Sequence, residues 1–196
     1  MQSASLIPTR KFREAALPRR SVADGPFLDP SDPAIHAITD FTREHPVTVD
    51  EERQIDDALH DMIHLGVRAM LVVREQRVVG LITSYDIQGE RPLQFLQTST
   101  YTRHQEIRVG HIMTPWDKLL AVEWESVQSA RAGDLLHVLE EAGITHLLVI
   151  EAGKKNATPI VRALVSRARL ARQLRGLRRE GSQKEAAVGR PQQAHH

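Results

Sequence analysis

The 196-residue chain contains no cysteine. That excludes disulfides, thiolate metal sites and cysteine nucleophiles, and it fits a reducing cytoplasm, where the protein is expected. Aromatic residues amount to only 4%, too few for a surface on which single-stranded nucleic acid would stack. Net charge is +1, so no strong overall field steers the molecule toward DNA or an anionic bilayer. No apolar run approaches the length of a membrane span, so no membrane contact is expected. The basic start, with Arg10, Lys11 and Arg13, is followed by no apolar segment, so no secretory signal is expected either.

What is present is the composition of a globular core, 41% hydrophobic and 26% charged, and a pattern that occurs twice. DEERQIDDALHDMIHLG (50–66) predicts a helix with Ile55, Leu59, Met62 and Ile63 on one face and a stop at Gly66. VRAMLVV (67–73) and RVVGLIT (77–83) predict two strands joined by a tight turn, and SYDIQ (84–88) a helix start. Later, SVQSARAGDLLHVLEEAG (126–143) predicts one helix, ITHLLVI (144–150) and PIVRALV (159–165) two strands, and 166–179 a closing helix. Gly143 stands 77 residues after Gly66, and VRAMLVV aligns with ITHLLVI at the same offset. The lead-ins AITDF (37–41) and HIMTPW (111–116) match loosely. This is an internal repeat, and neither copy alone is large enough to bury its faces well, so the two should pack together. The expected division is an irregular arm over 1–30, a first unit over 31–90, a linker over 91–106, a second unit over 107–176 and a disordered tail over 177–196. Within the long connection, Pro92 is placed to open a short helix carrying Leu93 and Leu96.

The unit formed by GVRAMLVV, a turn and VVGLITSYDI resembles a CBS motif, and the second copy, opened by HIMTP (111–115), resembles another. Together they resemble the tandem CBS module (Bateman module) of standalone bacterial proteins, over about residues 35–175. The fold so implied is α/β: two β-α-β-β-α motifs packed with pseudo-twofold symmetry. The function implied is regulatory and not enzymatic. An adenosine-containing ligand (AMP, ADP, ATP or S-adenosylmethionine) would bind in a cleft between the motifs, with no obligatory cofactor. The implied assembly is a homodimer acting on a regulated protein that the sequence does not identify. The resemblance assigns ribose to Thr83 and Asp86, with Tyr85 beside them. Thr145 and His146 would face the same cleft, and Leu81 and Leu120 would hold adenine. Chemically this is reasonable, since one carboxylate can accept from two neighbouring ribose hydroxyls, and a protonated His146 would favour a phosphate. The alternative is a plain helix cap at Thr83 or Ser84 with Asp86 in the first turn.

The second copy departs from the pattern. Ser166 keeps the hydroxyl, but Ala163 replaces the glycine and Arg169 the aspartate. Arginine has no acceptor for ribose hydroxyls, so this weaker cleft, with Arg68, Ala69, Ser166 and Arg169, would be empty or take a bare phosphate or a more highly charged ligand. Other signals carry less. His60 and His64 lie one helical turn apart, yet Asp61 stands where a metalloprotease places its glutamate and no third ligand follows, so no metal site is expected. AGKK (152–155) lacks the spacing of a phosphate loop and reads as a hairpin turn. The arginines of 162–179 suit either a solvated last helix or a helix docking on a partner or nucleic acid, the latter disfavoured by the balanced charge. Trp116 and Trp124 flank the second motif's first strand, as core or as dimer contacts.

Overall fold

The computed structural model describes residues 27–153 and 159–174. The expected arm before residue 27, Lys154 and Lys155 of the AGKK turn and the expected tail lie outside the described residues. The first half runs β1 (Thr39–Asp40), β2 (Thr48–Asp50), α1 (Ile55–Leu65), β3 (Ala69–Arg74), β4 (Arg77–Thr83) and α2 (Ser84–Gln88). The connection forms α3 (Arg91–Thr98), with Pro92 in its first turn, and α4 (Val109–Ile112). The second half runs β5 (Thr114–Pro115), β6 (Ala121–Glu123), α5 (Trp124–Ser129), α6 (Ala132–Glu141), β7 (His146–Glu151) and β8 (Ile160–Ser166). A last helix, α7, occupies residues 167–174.

Local chemistry accounts for the repeated unit. In α1, Ile55, Ala58 and Met62 are buried, and Asp56 and Asp57 sit in the first turn, where the helix dipole favours acids. Gly66 ends the helix with φ 67°, and Gly143 repeats this after α6 with φ 64°. Ile63, expected on the buried face, is 70% exposed instead. In β3 the side chains alternate. Met70 and Val72 pack under α1, while Leu71 joins Leu81 and Leu148 between the two sheets. The hairpin β3–β4 turns through Glu75 and Gln76, both with positive φ, as a tight two-residue hairpin requires.

The two sheets have the orders β2-β3-β4-β5 and β1-β8-β7-β6, so each takes one edge strand from the other half. Thr114 of β5 pairs with Leu81, and Thr39 of β1 pairs with Leu164. Gly80 allows this approach, because a Cβ there would lie 2.6 Å from the Met113 sulfur and 2.7 Å from the Thr114 carbonyl oxygen. The exchange extends to the helix starts. Gln54, before α1, bridges to Arg108, and Arg131, before α6, bridges to Pro33. This second bridge corrects the single helix expected over 126–143. Ala130 accepts from the Ala34 amide, and the Ala132 amide donates to Asp32 (3.0 and 2.8 Å), so the chain extends at Arg131 and splits α5 from α6. Arg162 lies in β8, within the strand expected over 159–165. It pairs with Asp40 and Glu151 and stacks on Trp124, whose ring packs against the second half's core. Trp116, by contrast, is largely exposed.

Candidate functional site

The stretch VVGLITSYDI places its hydroxyl and carboxylate at the junction of β4 and α2. Thr83 is the N-cap. Its hydroxyl accepts from the Asp86 amide (3.2 Å) and donates to Asp86 Oδ2 (2.7 Å), while the Thr83 amide donates to the same oxygen (2.8 Å). This is a reciprocal capping box, so the structural alternative for these residues is realised. The other oxygen, Oδ1, faces Arg91 Nη1 at 3.0 Å. That nitrogen also donates to the Ile112 carbonyl (2.8 Å) and to Thr114 Oγ1 (3.1 Å), which ties the carboxylate to the chain entering β5. Both oxygens of Asp86 are therefore engaged by protein groups. The Oδ2 contacts are local to the cap, whereas the Oδ1 contact is an ion pair with a half-exposed arginine.

A cavity of about 480 Å³ opens beside this junction. Its walls come from both halves: Arg68 and Tyr85 from the first, Thr145, His146, Ser166 and Arg167 from the second. Arg68 Nη1 lies 3.4 Å from the Tyr85 hydroxyl, a loose contact that leaves the guanidinium exposed. Glu140 closes one rim. Residues expected in two separate clefts thus meet at one cavity. Asp86 lies close enough to His146 for its charge to act on the imidazole. Burial pushes His146 down to about 4, against a smaller upward pull from Asp86, so the ring is neutral near pH 7. The condition under which His146 would favour a phosphate, a protonated ring, is therefore not met near pH 7; at 3.0 Å from Thr145 Oγ1 the neutral ring is a hydrogen-bonding wall.

Six expected residues are not cavity walls: Thr83 and Asp86, whose cap stands beside the cavity, and Leu81, Leu120, Ala69 and Arg169. Leu81 is only 4% exposed and belongs to the packing between the sheets, and Leu120 lies on the surface before β6. Ala69 opens β3, paired with Thr83. Arg169 turns to β1 and donates to Thr39 Oγ1 at 2.7 Å. Two residues escaped the sequence: Arg167, which follows β8 and faces the cavity, and Arg91. The rings of His60 and His64 lie 5.1 Å apart, tilted by 34°, on the exposed side of α1, and among the described residues no cluster of three or more His, Cys, Asp or Glu is arranged to hold a metal. No helix among the described residues is long and apolar enough to cross a membrane.

The family model for the CBS domain matches residues 37–91. No curated protein matches the chain. Among solved structures, the CBS domain of the bacterial CNNM/CorC family Mg2+ transporter in complex with ATP is 17% identical, over 75% of this chain and 89% of its own, with a TM-score of 0.50. An uncharacterized conserved protein from Pyrococcus horikoshii is 18% identical over 85% of this chain and all of its own, also at 0.50. CBSX2 from Arabidopsis thaliana in complex with AMP is 24% identical over 76% of this chain and 98% of its own, at 0.49.

Proposed function

We propose that this chain, in which residues 37–91 form a CBS domain within a CBS-pair fold, is a regulatory module that binds an adenine nucleotide between its two halves without catalysing a reaction. One observation carries the reading. A cavity of about 480 Å³ at the meeting of two strand-to-helix junctions presents the guanidinium of Arg68, with Arg167 beside it, to a phosphate. Asp86, within electrostatic reach of His146, is the acceptor for the sugar. A protein of the same fold binds ATP, which agrees with this ligand class. The same reading includes a homodimer in the cytoplasm that signals to a regulated protein. The exposed Ile63 and Tyr85 line a groove of about 450 Å³ between α1 and α2, a surface suited to helix packing.

Calorimetric titration with AMP, ATP and S-adenosylmethionine tests the proposal. Binding should fall about tenfold or more in Asp86→Ala, which loses charge-assisted hydrogen bonds. Arg68→Met should weaken ATP more than adenosine. No heat and no melting shift with any of the three ligands would leave the second reading, a CBS-pair protein that binds only a protein partner. The engagement of both Asp86 oxygens favours that second reading.

A further inference from the structure

Asp86 has one oxygen that its helix cap does not use, and Arg91 already holds it. The guanidinium of Arg91 reaches from the start of α3 to three acceptors at once: Asp86 Oδ1, the Ile112 carbonyl and the Thr114 hydroxyl. The second half shows the same closure in a different form. There, Thr39 of β1 occupies the register position of Thr114 in β5, each opposite a leucine of the neighbouring strand. Thr39 likewise receives a guanidinium, from Arg169, which stands in α7 where α2 has its aspartate. In both halves, then, an arginine ends on the lead-in threonine. In the second half that arginine belongs to the junction helix itself and covers no carboxylate. In the first it comes from the following helix and covers the Asp86 carboxylate.

We infer that Arg91 is an internal competitor for the ribose position on Asp86, so that nucleoside binding is coupled to release of α3 from the strand that crosses over from the second half. This rests on the nucleotide reading above. The arginine side chain is 43% exposed, so the freed guanidinium has water to go to, while the carboxylate, only 14% exposed, needs a replacement partner that the ribose hydroxyls would supply. Release would cut the Nη1 contacts to Ile112 and Thr114 together, since one nitrogen makes both. Occupancy of the cleft would thereby be reported to the connection between the halves. The second half, where Arg169 ends on Thr39 and has no carboxylate to uncover, has no such response.

The test has two arms. Without nucleotide, thermal melts compare the natural chain with Arg91→Met, Asp86→Asn and the double variant. Asparagine keeps the oxygen that the cap needs and removes the charge that Arg91 needs. Each single variant should melt a few degrees lower, and the double no lower than the worse single, because the contact requires both groups. Fully additive losses would overturn the latch. With AMP, calorimetry should show Arg91→Met binding about tenfold tighter than the natural chain, if the latch is closed about nine-tenths of the time. AMP binding that is unchanged or weaker in Arg91→Met overturns the competitor role while leaving the nucleotide site standing. Absence of AMP binding in both proteins, with melts still non-additive, instead overturns the nucleotide site, and the competitor role with it.

Discussion

His146 is the residue whose chemistry the fold changes most. Burial holds its pKa near 4, so between about pH 6.5 and 4 the unfolded chain binds a proton that the folded chain refuses. Stability is therefore unaffected by this group above pH 6.5 and falls as the pH drops toward 4, by up to about 3 kcal/mol in total. Urea melts between pH 4 and 7 should show that loss, and His146→Gln should flatten it. A slope unchanged in the variant would mean that the imidazole is freely solvated. Asp40 acts in a separate window. Burial raises its pKa, but hydrogen bonds from Arg162 and Thr42 outweigh this and bring it to about 2, so its contribution persists above pH 4 and is lost only as the pH falls through 2.

At the scale of elements, the decisive contacts are the two edge strands. β5 can approach β4 only because Gly80 has no side chain. The corresponding position in β8, opposite Asp40, is Ala163, where the second sheet accommodates a methyl group. Gly80→Ala should therefore cost about 1–3 kcal/mol. The Met113 side chain can swing aside, but the Thr114 carbonyl cannot move without β5. Chemical denaturation measures the loss, and a variant as stable as the natural chain would mean that β5 yields freely. Much of this level was legible beforehand. Gly66 and Gly143, the apolar alternation of the paired strands and the 77-residue offset are local signals, and they located helices, hairpins and the repeat. The break between α5 and α6 was not legible, because Ala130 and Ala132 take their backbone partners from residues 32–34, about a hundred positions away. The site was half legible for the same reason. Thr83 and Asp86 stand out as a pair, while Arg91 lies in a connection without periodicity, and its role depends on where residues 112–114 return.

At the scale of the whole molecule, the two halves are not separable bodies. Residues 27–100 alone would lack β5, the Arg108 bridge and the packing of Ile107, Val109 and Ile112 against α1. They would also expose Leu71 and Leu81 where Leu148 now covers them. Each half expressed alone should be aggregated or largely unfolded by circular dichroism and size-exclusion chromatography, and the two should recover a native spectrum only when refolded together. A soluble, cooperatively melting single half would show that the exchanged strands are ornamental. The exchange also has a mechanical consequence. A pull that peels β1 from β8 removes the edge of the sheet built on the other half of the sequence, and withdrawing β5 does the same in reverse. Stretched between its ends in an optical trap, the chain should give way in one force peak, as a clasp does, and not in the two successive rips of beads on a string.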